Sequence, residues 1–264
     1  MTFPDILLED DALVAFDKPS GMAVVQDARG KPRPSLMGIV RGRYGPALAN
    51  VHRLDPETSG IVLCAKTKPA LDFLSGQFQS KTAQRVYQAL VVVQPEEEGV
   101  RDRTRVRGES GGLPQEFTVD LALGEDPHRP GQVRVFLGRG GKPSTTLFRV
   151  LESFGRFVWV ECRPVTGRMH QIRAHLAAAG APVLGDLLYG DASDVLLLSE
   201  IKERYKGREA EKPLMNRLAL HCGSLGFTHP LSREPVGVTS PLPKDLSIAL
   251  KYLRKFSSPR GPRA

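Results

Sequence analysis

Residues 51–60, Val51-His52-Arg53-Leu54-Asp55-Pro56-Glu57-Thr58-Ser59-Gly60, form a polar break between the apolar runs at 46–50 and 61–65. Pro56 pushes Asp55 toward extended backbone, and Gly60 admits conformations closed to other residues. On local grounds this is an Asp-Pro turn with solvated charges. It is also a place where a fold can present one carboxylate as a nucleophile or base. A second candidate lies in Thr166-Gly167-Arg168-Met169-His170-Gln171-Ile172-Arg173-Ala174-His175-Leu176. There Met169, Ile172, Leu176 and Ala179 fall on one helical stripe. Arg173 sits at its border, about 60° from Leu176 at roughly 100° per residue. A border arginine that becomes buried wants a carboxylate; the bland alternative is a solvated helix face. His170 and His175 are five apart and do not share a face as metal ligands would, which argues against zinc. Tyr87, in a strand-like run, reads locally as a core aromatic. Arg101, Arg103, Arg105 and Arg107 alternate through "RDRTRVRGES". If extended, they share one side and suit a phosphate backbone; otherwise they are an exposed loop without set geometry. Arg29, Lys31, Arg33, Arg41 and Arg43 add a second basic region.

The elements that must carry these residues are mostly strands. Strand patterns cover 13–18, stopped by Pro19-Ser20-Gly21, then 61–65 and 85–91, with Thr118–Leu123, Gln132–Phe136, Ser144–Glu152 and Phe157–Val165 beyond. Two short strands are expected at Leu218–Cys222 and Ser224–Phe227. Residues 26–46 and 94–116 read as connections, the first a basic loop. Lys68–Ser80 reads as a helix with Leu71, Leu74 and Phe78 at helical spacing. A helix of about a dozen residues follows Thr166, its expected N-cap, and ends at Gly180. The segment 192–215 is charged and partly helical. Leu246–Phe256 is a last helix with Leu246, Leu250 and Leu253 on one face. Strands outnumber helices and neighbour one another in sequence, so the expected class is α+β, with a mixed, mainly antiparallel sheet and flanking helices. One domain is expected over 9–256, with a basic, disordered tail at 257–264.

Composition narrows the partners. The chain has 264 residues, 41% hydrophobic and 25% charged, with a net charge of +8. Those are the proportions of a globular protein with a sizeable core, and the charge favours a polyanionic partner. No long apolar span favours a membrane instead. Aromatics are only 6%, which disfavours extended base-stacking platforms. The N-terminus lacks the basic and apolar regions of a signal peptide, so a cytoplasmic location is expected. Cys64, Cys162 and Cys222 are odd in number, far apart and without a Cys-x-x-Cys pair, as buried reduced thiols would be.

Several of these stretches together resemble the RluA-type RNA pseudouridine synthases. "DKPSGM" (17–22) looks like the family's opening motif, and "HRLDPETSG" (52–60) matches H-R-L-D-x-x-T-S-G at every fixed position. "RVYQALV" (85–91) is similar to the tyrosine strand, with Arg85 in place of a lysine. "GRMHQIRAHL" (167–176) resembles G-R-T-H-Q-I-R-x-H-L, with Met169 in place of a threonine. "GDLLYG" (185–190), "RLALHC" and "LGFTHP" (217–230) also fit, so the resemblance runs in order over roughly 11–250.

The resemblance implies cofactor-free isomerisation of a specific uridine, in rRNA or tRNA, to pseudouridine. The base leaves C1′ and rejoins through C5. Asp55 matches the catalytic aspartate; attack at C1′, abstraction of a C2′ proton and addition to the base all remain open, and each needs the carboxylate form. Arg173 matches the arginine paired with it, whose charge would keep it ionised. Tyr87 matches the active-site tyrosine, which stacks on uracil and helps remove the C5 proton. Arg53 matches the residue that fills the space of the extruded nucleotide, an extrusion that costs a few kcal/mol. His52 and Thr58-Ser59-Gly60 are expected to shape the loop. Arg85, Arg101, Arg103 and Arg168 are expected RNA contacts. Arg85 keeps the charge of the residue it replaces, whereas Met169 loses a hydroxyl. No metal is implied, and a monomer is favoured. About ten residues precede the start of the resemblance, so no S4-type domain is expected. Two other classes compete: a catalytically silent RNA-binding protein on the same fold, and a glycoside hydrolase using Asp55 with Glu57. The first would be expected to lose Asp55, Tyr87 or Arg173. The second has no assured carboxylate spacing of about 5 Å or more.

Overall fold

The computed structural model describes residues 3–26, 34–95, 104, 106–108, 111–207 and 211–257. The first half holds β1 (Asp5–Glu9), β2 (Leu13–Lys18), α1 (Leu36–Tyr44), β3 (Ala49–Asn50), β4 (Ser59–Ala65), α2 (Lys68–Gln79), β5 (Gln84–Val92), β6 (Glu116–Asp120) and β7 (Ala122–Glu125). The second holds β8 (Val133–Phe136), β9 (Thr145–Phe154), β10 (Phe157–Pro164), α3 (Gln171–Ala178), α4 (Leu198–Ile201), β11 (Leu220–Thr228), β12 (Pro235–Thr239) and α5 (Lys244–Phe256). Two compact units share these elements. One is bounded by Met1–Tyr87 with Leu220–Pro241, the other by Gln88–Ala219 with Leu242–Ala264.

In the first unit the strand order is β1-β2-β4-β11-β5, with β3 on β4 and β12 on β11. β4 and β11 run parallel; β1–β2, β2–β4, β3–β4 and β11–β12 are antiparallel. Leu13–Phe16 and Ile61–Ala65 are wholly buried, as continuous apolar runs in central strands should be. α2 starts at Thr67, whose hydroxyl accepts from the Ala70 amide, and buries Leu74.

In the second unit the order is β5-β10-β9-β6, and β7–β8 is a separate antiparallel hairpin. β9 alternates, with Thr146, Phe148 and Val150 buried and Leu147 and Arg149 exposed. α5 buries the expected Leu246, Leu250 and Leu253, together with Ala249. The mainly antiparallel α+β class is as the sequence predicts.

Some boundaries differ. Residues 36–44, expected as loop, form α1: Ser35 caps it through its hydroxyl to the Gly38 amide (3.2 Å), and Leu36, Met37 and Val40 are buried. α3 is shorter than expected and does not start on Thr166. His170 precedes it with φ +51, and the Thr166 hydroxyl instead donates to Gln171 Oε1 (2.7 Å). Met169 is therefore outside the helix and 45% exposed, not part of its stripe. Gly180, with φ +73, does stop α3. Thr118–Leu123 divides between β6 and β7. Residues 220–228 are one strand running through Gly223, and β1, β3 and β12 add edge strands. The tail from 258 lies outside the described residues.

Candidate active site

The Asp55 turn is held by its backbone. The buried ammonium of Lys18, 0% exposed, donates to the carbonyls of Pro19 (3.0 Å), Met22 (2.7 Å) and Pro56 (2.9 Å). The Gly21 amide also donates to Pro56 O (2.8 Å), and the Ser20 hydroxyl to Glu57 O (2.5 Å). "DKPSG" is thus a clamp on the residues just after Asp55. Three carbonyls around one ammonium make its burial tolerable, because each bond to a charged donor is worth about 1.5–3 kcal/mol. The Thr58 amide closes the turn on Asp55 O (3.1 Å). Beyond it, the Ser59 hydroxyl meets His221 Nδ1 (3.0 Å), while Gly60, at φ +111, lies against β11. A Cβ on Gly60 would stand 2.2 Å from Cys222 O. Only glycine fits there, on both conformational and steric grounds. The expectation that Thr58-Ser59-Gly60 shape the loop has this physical content.

Tyr87 lies in the same unit, close enough for the Asp55 charge to raise its pKa. Burial, the largest cause, and the neighbouring Cys222 push the phenol well above its usual range. Its hydroxyl hydrogen-bonds the Cys222 thiol, which burial raises to about 12. Tyr87 therefore carries a neutral hydroxyl, not a phenolate. His52 stacks on Phe78 (4.8 Å between centroids, 15°), and its Nε2 accepts from the Leu63 amide (3.2 Å). Burial and the Arg85 charge lower the imidazole to about 3, so His52 is a neutral strut. Arg85 is half-buried, 5.7 Å over the Phe78 ring, and its charge is felt by His52, Tyr87 and Cys222. Arg53, between strut and carboxylate in sequence, is exposed.

In the second unit, Arg173 is 3% exposed and forked by Asp186: Nε to Oδ2 and Nη2 to Oδ1, both 2.7 Å. Asp186 Oδ1 also accepts from the amides of Leu188 (3.0 Å) and Tyr189 (3.2 Å). The guanidinium stands 5.3 Å over the Tyr189 ring, whose hydroxyl accepts from the Val133 amide (2.8 Å) and meets His170 Nδ1 (2.9 Å). Two opposite charges with this many partners can be buried together at little net cost. Sequence reasoning foresaw a buried arginine seeking a carboxylate and missed Asp186. The signal was present: "GDLLYG" entered the resemblance with no task assigned to its aspartate. His175, 0% exposed, meets Thr146 Oγ1 (2.9 Å) and Leu121 O (3.0 Å), a core histidine.

Of the other expected RNA contacts, Arg168 is exposed, and its Nε is 3.4 Å from Pro143 O. Arg101 and Arg103 lie outside the described residues, as does Arg105. Arg107, the last of that series, donates to the carbonyls of Gln94 (2.8 Å), Val106 (2.8 Å), Ala179 (3.0 Å) and Gly180 (3.3 Å). It satisfies carbonyls where α3 ends rather than extending a phosphate stripe. Cys64, Cys162 and Cys222 are buried free thiols, as expected. Among the described residues no three His, Cys, Asp or Glu side chains converge as metal ligands do.

The chain matches known proteins along most of its length. Residues 12–178 match the model of the family described as RNA pseudouridylate synthase. The chain is 34% identical over 260 residues to the ribosomal large subunit pseudouridine synthase D of Neisseria meningitidis serogroup A, covering 95% of this chain and 61% of that protein. It is thus similar to somewhat under two thirds of that relative's length. An uncharacterized RNA pseudouridine synthase of Chloroflexus aurantiacus is 35% identical over 92% of this chain and 67% of its own. Among solved structures, human RNA pseudouridylate synthase domain containing 4 superposes with a TM-score of 0.65 at 23% identity, over 94% of this chain and 92% of that one, a likeness of fold. With its signature turn clamped by "DKPSG" and its family match spanning 12–178, the chain belongs to the RNA pseudouridylate synthase family.

Proposed function

We propose that the protein isomerises a specific uridine in RNA to pseudouridine, with Asp55 as the catalytic carboxylate. The N1–C1′ bond breaks, a C5–C1′ bond forms, and the proton lost from C5 is balanced by one gained at N1. No oxidant, reductant or cofactor enters that balance. The observation that carries this reading is the clamped Asp55 turn with Tyr87 beside it in one unit. In it Tyr87 packs its ring against the base, and Arg53, exposed next to the turn, takes the place of the extruded nucleotide. In the second unit, Arg173, which matches the family's paired arginine, has its orientation set by Asp186. Large-subunit ribosomal RNA is the first substrate to test, because relatives at 34% identity are named for it; transfer RNA is the second.

The test is to incubate the protein with total RNA from cells lacking it and map pseudouridine at single-nucleotide resolution. New sites that vanish with Asp55→Asn are expected. No new site, or undiminished modification by Asp55→Asn, refutes the proposal.

A further inference from the structure

Helix α5 presents a charged ridge that the site described above does not use. Its buried stripe is Leu246, Ala249, Leu250 and Leu253. At about 100° per residue, Lys244, Lys251 and Lys255 fall within about 40° of one another, directly opposite that stripe. A rise of about 1.5 Å per residue places Lys251 and Lys255 about 10 and 16 Å along the axis from Lys244. All three are exposed, and none pairs with a carboxylate among the described residues.

Two acids on or against α5 are already engaged. Asp245, the one acid of α5, is forked by Arg217 (2.6 and 2.7 Å), and Glu152 is held by Arg254 (2.9 Å). The ridge therefore keeps its positive charge. At its C-terminal end Tyr252 stacks on Phe256 (5.9 Å, 21°), with the ammonium groups of Lys255 and Lys202 5.2 and 5.4 Å from the Phe256 ring. These contacts fix the end of the ridge to its surroundings.

A bland account would make the lysines a solvated face that complements the helix dipole. That suits Lys255 in the last turn. It fails for Lys244, which stands in the first turn, where a cation opposes the dipole. The alignment of all three is thus not dictated by the helix itself.

We propose that this ridge of α5 is a docking surface for the phosphate backbone of the RNA on which the protein acts. It rests on the reading that the substrate is RNA. Three exposed cations in a line, with no acid among them, match a run of phosphates. They carry no base-reading group, so they add affinity and register without choosing the target uridine.

The test uses the full-length chain with Lys244, Lys251 and Lys255 all changed to Gln, and in parallel to Arg. The probe is large-subunit ribosomal RNA transcribed in vitro, with binding measured across a salt series. All three positions are exposed, so the fold should hold, and fluorescence of the single tryptophan, Trp159, checks it. The Gln variant should bind roughly tenfold or more weakly at low salt. Its log–log salt slope should be shallower by about two, since each phosphate neutralised by a lysine contributes about 0.7–0.9. Its kcat at saturating RNA should stay at the wild-type level, and the Arg variant should bind like wild type. An unchanged slope and Kd in the Gln variant would overturn the proposal. So would a variant that keeps its RNA affinity but loses binding to phosphatidylserine vesicles, which would assign the ridge to a lipid surface. If wild type binds and modifies the RNA while the Gln variant is unaltered, the ridge fails alone. If wild type neither binds nor modifies RNA, the proposed function fails and the ridge with it.

Discussion

Replacing Asp186 by Ala removes the carboxylate that holds both Nε and Nη2 of the buried Arg173 guanidinium. Breaking a buried pair from one side costs about 3–5 kcal/mol, because the remaining charge stays inside without its counterion. The amides of Leu188 and Tyr189 lose an acceptor as well, adding about 0.5–1.5 kcal/mol each where water cannot replace it. The Tyr189 ring under the guanidinium offsets a part, about 1 kcal/mol. A net loss of about 5 kcal/mol follows, or a fall in Tm of about 10–20 °C at roughly 2–4 °C per kcal/mol. Trp159 is the only tryptophan and is buried in β10 of the same unit, so its fluorescence in a urea titration reports this loss. Asp186→Asn, which keeps an oxygen for the two amides but no charge, should fall between wild type and Ala. The double variant Arg173→Met with Asp186→Leu should regain most of the stability, since apolar residues of similar volume replace a buried pair at little cost. A loss under about 1 kcal/mol for Asp186→Ala, or a double variant no better than the single, would refute the reasoning.

Three further outcomes are expected. His52 has a folded-state pKa of about 3 against 6.5 for the free side chain, so below pH 6.5 the unfolded chain takes up a proton that the folded chain refuses. Its contribution is whole above 6.5 and is lost as pH falls toward 3. Over about pH 7 to 5 the loss is about 1 kcal/mol, after discounting for a ring that is only half-buried, and His52→Gln should remove that part of the slope in urea titrations at the two pH values. Gly60→Ala should cost about 3 kcal/mol or more and abolish activity, since its Cβ would meet Cys222 O at 2.2 Å with φ at +111; wild-type stability would contradict the register of β4 against β11. The thiols of Cys64 and Cys222 are raised to about 12 and that of Cys162 well above its usual 9.0. All three should resist a thiol reagent near pH 8 until denaturant is added, and fast reaction of Cys64 or Cys222 in the native protein would show that the β4–β11 pairing opens.

How much was legible depended on distance along the chain. The shape of the Asp55 turn was readable because its Asp-Pro step and terminal glycine lie within ten residues, but its chemistry became legible only through the resemblance, with motifs as distant as those of Tyr87 and Arg173. The role of Lys18 was not, because its decisive acceptor, Pro56 O, is 38 residues away. A lysine at the end of a strand looks solvated until its partner is known. The same holds for Asp186, 13 residues beyond Arg173 and across a turn. α1 was hidden by composition: the basic, Gly- and Pro-rich character of 26–46 masked Leu36, Met37 and Val40 at helical spacing. Thr166 looked like an N-cap by type and position, but Gln171 claims its hydroxyl, and α3 opens on His170 in the left-handed region instead. Arg107 shows the reverse error. An alternating series suggested one task for four arginines, and the one described holds backbone carbonyls instead.

The interactions that fix the Asp55 turn share one property that bears on the chemistry. Lys18, Ser20 and Gly21 all act on the carbonyls of Pro56 and Glu57, and His221 acts on the Ser59 hydroxyl. The turn itself is closed by Thr58 on the Asp55 carbonyl. None of these hydrogen bonds uses the Asp55 carboxylate. Replacing that carboxylate by an isosteric amide therefore leaves every one of them in place, whereas Lys18→Met would release the turn and impair activity by displacement. Asp55→Asn should thus keep the clamp while losing the reaction, and Lys18→Met should lose both. Comparing the two separates a carboxylate that does chemistry from one that serves only the shape of its loop.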